Sequence, residues 1–169
     1  DGNGKIDDGD RQYCGSATPK YTFSLSGGFT WKDLSFSAML QGVAGAQAMN
    51  VAKCMTLSDV EGNFNRDARI LDAWSETNRD SNIPRLSKND PNNNFSTASD
   101  WYLENASYLR LKNVTVSYDL TNILRKCAHF NSRNSRLSVY VSGENLFTIT
   151  DYTGIDPECG GWDAMRYPV

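Results

Sequence analysis

The feature that most constrains this chain is the alternation of apolar and polar residues between positions 108 and 149. The apolar residues of the second half of this stretch are Leu137, Val139, Val141, Phe147 and Ile149, and those of the first half include Val114, Val116, Tyr118 and Leu120. A period of two is that of a β-strand with one apolar face. We therefore predict strands over 108–120 and 137–149, each about as long as the roughly 9 to 11 residues of a tilted bilayer crossing.

The same alternation predicts two more strands, over 20–31 and 34–43, joined by the short turn Lys32 and Asp33 into a hairpin. The aromatic residues toward the strand ends, where membrane barrels carry their interfacial girdles, are Tyr21, Phe29, Trp31 and Tyr118. A soluble β-sandwich with its core on this face would explain these two strands equally well.

The connections between the predicted strands differ sharply in length. Residues 32–33 form a very short turn, 44–107 a long polar loop and 121–135 a moderate basic turn, and another long segment follows from Asp151. Outer-membrane barrels keep short turns on one side and long loops on the other, whereas a soluble sandwich has no reason to do so. We predict an all-β chain of antiparallel membrane-barrel strands with long extracellular loops, and one short helix near 64–74.

Composition narrows the function further. Apolar residues make up 39% of the chain, below the roughly 45–50% of globular domains, a range that also counts glycine. The net charge is -3 and basic residues do not cluster with aromatic ones, so nucleic-acid binding is not expected. No apolar run approaches the roughly 18 residues of a membrane-spanning helix. The cysteines, which leave free thiols and three disulfide pairings open, are Cys14, Cys54, Cys127 and Cys159.

The first ten residues are similar to the third to twelfth positions of a calcium loop of the EF-hand type. Gly4 falls on the sharp turn of such a loop, and the candidate oxygen ligands are Asp1, Asn3, Asp7 and Asp10. Closely spaced hard oxygens around a glycine are what Ca²⁺ requires. The last ligand position holds aspartate instead of the usual bidentate glutamate, and an acidic glycine-rich stretch also suits a solvated turn. The sequence thus predicts a structural calcium site, with a solvated turn as the alternative.

Six short motifs follow one another along the chain. They lie at residues 1–10, 19–22, 41–45, 83–86, 108–118 and 141–158, and the last reads VSGENLFTITDYTGIDPE. Together they resemble the C-terminal part of SusC/RagA-type TonB-dependent transporters. The resemblance implies a barrel of about 22 strands with a plugged lumen, in the outer membrane of a Gram-negative, Bacteroidetes-like cell. Such proteins import oligosaccharides or peptides, with a SusD-like surface lipoprotein over the mouth and energy supplied by the TonB complex through the plug.

The resemblance also implies that the chain is a piece of a longer protein, because it matches only the last few strands. The plug, the segment that contacts TonB and the final strand are expected to be absent from it. The chain has no signal peptide and opens inside a loop, which favours the same interpretation. In the parent protein the apolar strand faces would meet lipid, and the faces rich in serine and threonine would meet the plug or lumen water.

The positions that match the family signature are Gly143, Asn145, Phe147, Asp156, Pro157 and Glu158. We interpret them as shaping the strand end and the next loop. The alternative function is a secreted or surface β-rich glycan-binding module, in which loop aromatics stack on sugar rings. These aromatics, of which the tryptophans are also candidates to face a transported substrate, are Trp74, Trp101, Tyr152 and Trp162. An enzyme is not expected, since the chain has one histidine, no nucleophile elbow and no convincing carboxylate pair.

Overall fold

The computed structural model describes residues 2, 4–57, 65–87, 89–127 and 136–159. In chain order its elements are β1 (Tyr21–Trp31), β2 (Leu34–Ala44), β3 (Gln47–Met49), α1 (Val51–Leu57), β4 (Leu103–Asn105), β5 (Tyr108–Asp119), α2 (Thr121–Cys127) and β6 (Ser138–Thr150). The four long strands begin and end within one residue of the ranges that the alternation predicts.

Two segments that were predicted as loop or turn contain regular structure. Residues 44–107 hold β3, α1 and β4, together with the 3₁₀ helices Ala68–Asp72 and Asp100–Tyr102. The first of these 3₁₀ helices lies inside the range predicted as a short helix. The predicted turn at 121–135 begins with α2. These elements are too short to show a helical or strand period, so the alternation could not reveal them.

The chain divides into two compact units. One, the sheet unit, comprises Lys20–Ala44 and Tyr108–Thr150, and the other, the loop unit, comprises Asp1–Pro19, Gly45–Ser107 and Asp151–Val169. In the sheet unit the four long strands pair antiparallel in the order β1-β2-β5-β6. In the loop unit β3 pairs with β4.

One face of the four-stranded sheet is apolar across all its strands. A typical row of cross-strand neighbours runs from Phe29 through Phe36 and Val116 to Val141. These side chains remain uncovered, as Val141 shows with 77% exposure. The other exposed large apolar residues of this face are Tyr21, Phe23, Leu25, Trp31, Tyr118, Val139, Phe147 and Ile149. On the opposite face the corresponding row is polar, with Thr30, Ser35 and Ser117 as neighbours.

A β-bulge in β5 keeps this face continuous. The register between β2 and β5 shifts so that Met39 faces Asn113 and Leu40 faces Leu111, which leaves Lys112 as the extra residue. An extra residue reverses the side-chain alternation. Along the chain the apolar residues of β5 therefore change from odd to even numbers at this point and stay on one side, as Leu111 and Val114 do.

The strand register also places the connections. The strand ends Tyr21, Ala44, Tyr108 and Thr150 lie at the same end of the sheet, since Tyr21 pairs with Ala44 and Tyr108 with Thr150. The three segments of the loop unit continue the chain from these strand ends. The turn at 32–33 and the residues Leu120 and Leu137, which share a backbone hydrogen bond of 2.9 Å, lie at the other ends of the strands. Long and short connections are thus separated, as predicted.

The loop unit buries its own small core. Its buried apolar residues are Ala46, Ala48, Val51, Leu57, Phe95, Tyr102, Ala106 and Tyr152, and its buried polar ones are Asn50, Asp90 and Asp156. No helix among the described residues is long and apolar enough to cross a membrane.

Candidate functional site

A mostly buried carboxylate joins three segments of the loop unit. Glu104 in β4 accepts hydrogen bonds from the backbone N–H of Thr153 at 2.9 Å and from the Asn50 amide at 3.2 Å. The Thr153 hydroxyl donates to it as well, and the Asn50 amide also donates to Thr153 Oγ1 at 2.9 Å. Burial by itself would raise the pKa of Glu104, but the hydrogen bonds from Thr153 and Asn50 and the charge of Lys53 lower it overall. The anion is therefore the stable form that binds the segment after β6 to β4.

Lys53 joins this carboxylate to an aromatic cluster. Its ammonium lies 3.8 Å from Glu104 Oε1 and 4.2 Å from the centroid of the Trp101 ring. The Trp101 ring makes edge contacts with Phe95 and Tyr102, at centroid distances of 5.9 and 4.8 Å. Burial lowers the pKa of Lys53, although Glu104 opposes the shift. Lys53 thus places its charge between an anion and an aromatic face.

A second carboxylate organises the loop that precedes the aromatic cluster. Asp90 is 4% exposed and accepts backbone hydrogen bonds from Asn94, Phe95 and Ser96, each at 2.9 Å, and one from the Ser96 hydroxyl at 2.8 Å. Burial by itself would raise the pKa of Asp90, but these hydrogen bonds outweigh it and lower the pKa. Asp90 therefore fixes the backbone of a stretch that the sequence marks only as a polar loop.

The predicted tryptophan platforms have different surroundings. Trp101 donates from Nε1 to the carbonyl of Asn82 at 2.8 Å, and the Lys53 ammonium lies over its ring, so it is a packing residue of the loop unit. Trp74 is half-buried, and its backbone N–H donates to the carbonyl of Ile83 at 2.9 Å. Both tryptophans therefore bond to the segment at 82–83. Trp162 lies outside the described residues.

Two of the four predicted calcium ligands lie in the described part of the chain, while Asp1 and Asn3 do not. Asp7 Oδ1 accepts from the backbone N–H of Gly9 at 2.8 Å, and Asp10 Oδ2 accepts from the N–H of Asp7 at 3.2 Å. The two carboxylates thus form a capping box around a 3₁₀ turn. Among the described residues no three His, Cys, Asp or Glu side chains are grouped to hold a metal. Calcium binding stays a prediction, for isothermal titration with Ca²⁺ to test.

Comparison with known proteins decides the family. The chain is 34% identical over 160 residues to TonB-dependent receptor P3 of Formosa agariphila, which covers 94% of this chain and 15% of that protein. It is 30% identical over 168 residues to TonB-dependent receptor SusC of Bacteroides thetaiotaomicron, covering 99% of the chain and 16% of SusC. Among solved structures, the RagAB peptide transporter matches with a TM-score of 0.67 and 35% identity, over 87% of this chain and 16% of that one. No family model matches.

The chain belongs to the SusC/RagA-like TonB-dependent receptors. It spans about 15% of the length of the curated relatives that it matches, and its antiparallel strands are a portion of such a receptor's barrel. The predicted family and the predicted fold class are thus confirmed. The sheet has two open edges, β1 and β6, so this portion does not close into a barrel by itself. The relatives are named as receptors and transporters, which agrees with the expectation that the chain is not an enzyme.

The receptor signature begins at an irregularity of β6. Asn145 has a φ of 50° in the left-handed region, and the pairing of β5 with β6 shifts register beside it. Gly143 lies under the side chain of Leu146, where a Cβ atom would approach Leu146 Cδ2 to 2.7 Å. Phe147 is paired with Leu111 on the exposed apolar face. These contacts favour a structural role for the three signature residues.

The rest of the signature forms a turn after β6. Asp156 is 7% exposed, and its Oδ1 accepts the backbone N–H of Glu158 at 2.8 Å. The backbone carbonyl of Asp156 also accepts from the N–H of Cys159 at 3.1 Å. Pro157 lies within this turn. The structure thus brings Asp156, Pro157 and Glu158 together in one turn of the loop unit. Their interpretation as shaping residues stays a prediction.

Sequence reasoning missed the residues that order the loop unit, which are Asn50, Lys53, Asp90 and Glu104. Glu104 and Asn50 are 54 positions apart, and no local motif links them. For Asp90 the sequence carries one signal, the run of asparagine and aspartate around Pro91, which is typical of side chains that hydrogen-bond their own backbone. The cysteines Cys14, Cys54 and Cys159 carry thiols and no disulfide.

Proposed function

We propose that this chain is part of an outer-membrane TonB-dependent active transporter, which imports oligosaccharides or peptides together with a SusD-like lipoprotein. The observation that carries the proposal is the apolar face of the sheet, which runs along four strands of 11 to 13 residues, exposed on β1 and β6 and partly exposed on β2 and β5. A tilted strand needs roughly 9 to 11 residues to cross a bilayer. Contact between this apolar face and water is unfavourable and promotes aggregation, whereas contact with lipid is favourable.

The polar face of the same sheet suits the inside of a barrel. Thr30 and Ser35 bond to each other across β1 and β2 at 3.1 Å, and Arg110 donates to Thr148 Oγ1 at 2.8 Å across β5 and β6. Backbone groups cannot stay unpaired in hydrocarbon, so β1 and β6 require neighbouring strands from the rest of the receptor. The long connections all begin or end at the same ends of the strands, at Tyr21, Ala44, Tyr108 and Thr150, which supports a surface that meets substrate and lipoprotein on one side of the membrane.

The test is made on the whole receptor in its own cell. Its gene is deleted, and growth on peptides or on oligosaccharides as the sole nutrient is compared with that of a strain without functional TonB. We expect the receptor in the outer-membrane fraction, a lipoprotein that co-purifies with it, and the same growth defect in both strains. A receptor whose loss leaves both kinds of growth unchanged, or whose substrate enters without TonB, would overturn the proposal.

A further inference from the structure

A cavity of the loop unit lies beside Trp74. Its volume is about 480 Å³, within the roughly 300–1,000 Å³ of small-ligand pockets. Leu71 and Trp74 line one side and Leu86 the other, and Leu71 is 90% exposed, more than any other large apolar side chain of the described residues. The remaining lining residues are Ile70, Ala73, Ser75, Glu76 and Arg85. An aromatic and aliphatic surface is thus left open to solvent.

Hydrogen bonds hold the walls of this cavity in place. The backbone N–H of Trp74 donates to the carbonyl of Ile83 at 2.9 Å and so ties Trp74 to the stretch that precedes Arg85. Ser75 and Asn78 exchange two backbone hydrogen bonds, at 3.1 and 3.0 Å, in the turn that follows Trp74. Asp67 caps the 3₁₀ helix before it, accepting the N–H of Arg69 at 2.9 Å. A site with such walls loses little conformational entropy when a ligand binds.

The charged residues of the cavity wall, Glu76 and Arg85, lack the partners that nearby charged residues have. Close by in the sequence, Asp67 pairs with Arg69 at 2.7 Å, and the carboxylate of Asp72 accepts a hydrogen bond at 2.8 Å. In the described part of the chain the Glu76 carboxylate and the Arg85 guanidinium take part in no ion pair or hydrogen bond. The cavity therefore offers one free anion and one free cation beside an apolar surface.

We propose that this cavity binds a short peptide, whose apolar side chain packs on Trp74 and Leu71 and whose charged ends pair with Glu76 and Arg85. This inference rests on the proposed import function and narrows its substrate class. A peptide carries an ammonium, a carboxylate and apolar side chains on one molecule, and each has its complement in the cavity. A neutral oligosaccharide has no group that would pair with either charge.

The experiment uses the whole receptor, purified in detergent. A tryptic digest of casein is the first probe, and the peptide retained best is then made with free ends and with acetylated and amidated ends. We expect Trp74→Ala to weaken the free peptide about tenfold, and Arg85→Gln and Glu76→Gln about two- to fivefold each. The matched controls Arg125→Gln and Asp80→Asn remove the same charges from exposed side chains outside the cavity, and we expect them to bind like the unaltered receptor.

The capped peptide separates a direct ion pair from a general loss of structure. It should bind the unaltered receptor more weakly than the free peptide binds either single charge variant, because capping removes both ion pairs, and Arg85→Gln should weaken it no further. Unchanged peptide affinity in all three cavity variants would overturn the site. The site would also be overturned if these variants no longer bound the lipoprotein but still bound the peptide. A receptor that retains maltoheptaose and no peptide would overturn the substrate class. A receptor that retains neither points instead to failure of the import function.

Discussion

The two units of this chain differ in where their apolar side chains lie, which is mostly on the surface in the sheet unit and mostly in a buried core in the loop unit. In the sheet unit most large apolar side chains are exposed, with Tyr21 at 72% and Val141 at 77%. In the loop unit Phe95, Tyr102 and Tyr152 are at most 6% exposed and polar groups are buried beside them, with Tyr13 and Leu71 among the exposed exceptions. The rule that apolar side chains are buried away from solvent therefore does not describe both units. The sheet unit suits hydrocarbon as its solvent, whereas the loop unit packs as a water-soluble domain does.

The two units also use hydrogen bonds differently. The sheet satisfies its backbone through long ladders, which require no particular side chain and tolerate any sequence of suitable polarity. The loop unit has little regular structure, so individual side chains such as Asp90 and Glu104 satisfy its backbone. We therefore expect single substitutions to act locally and strongly in the loop unit, and in the sheet to act according to the face on which they lie.

The largest effect is expected at Asp90 in the loop unit. Asp90→Ala leaves the backbone amides of Asn94, Phe95 and Ser96 without their charged acceptor, which we expect to cost about 3–5 kcal/mol of local stability. Hydrogen exchange on the whole receptor should show lost protection at these three amides. Asp90→Asn keeps one acceptor oxygen and tolerates the φ of 39°, so it should retain part of the protection. Equal protection in Asp90→Ala would show that the carboxylate does not organise this loop.

The next effect tests the faces of the sheet. Val141→Arg puts a charge on the apolar face, where an arginine near the bilayer midplane costs about 2–4 kcal/mol. Ser142→Arg makes the same change one residue later, on the face where Ser142 pairs with Thr115. Urea unfolding of the receptor in lipid vesicles, followed by heat-modifiable gel mobility, measures both. If Ser142→Arg destabilised the receptor more than Val141→Arg, the faces would be assigned the wrong way round.

The contrast between the units explains what the sequence could predict. A strand needs only a local period of two, so the alternation around Val116 and Val141 was enough to find the long strands and their common face. The bulge at Lys112 was not predicted, although the apolar positions change from odd to even numbers between Leu111 and Val114. The family signature at 141–158 supplied the receptor family, which no physical pattern in so short a chain could have supplied.

The loop unit was beyond such reasoning because its contacts are long-range. Glu104 and Thr153 are 49 positions apart, and an isolated glutamate in a polar stretch gives no sign of its partner. Trp101 was a candidate platform only in the glycan-binding alternative, and its ring contacts Lys53 and Phe95. Only the fold shows which aromatic residues are used for packing and which, like Trp74, line a cavity.

A smaller effect is expected at Glu104, and it depends on pH. Its pKa lies below the ordinary value in the folded state, so its contribution is present above that ordinary value and is lost as the pH falls through the folded pKa. Protection of the Thr153 amide against hydrogen exchange, corrected for intrinsic rates, should therefore fall with acid. Glu104→Gln should cost about 1–2 kcal/mol near neutral pH and abolish this acid dependence. An unchanged acid dependence in the variant would assign it to another group.

The smallest effect is expected at Asn145, where the sheet carries the family signature. Its φ of 50° disfavours residues with a Cβ, and its buried Oδ1 has no hydrogen-bond partner among the described residues. Asn145→Gly should therefore change the stability of the receptor by less than about 0.5 kcal/mol, and Asn145→Ala should cost about 1 kcal/mol. Urea unfolding in vesicles and substrate uptake are measured on both variants. Because we interpret Asn145 as a shaping residue, uptake by the glycine variant should equal that of the unaltered receptor. A loss of uptake in a glycine variant of unchanged stability would instead show that the Asn145 side chain contacts the substrate.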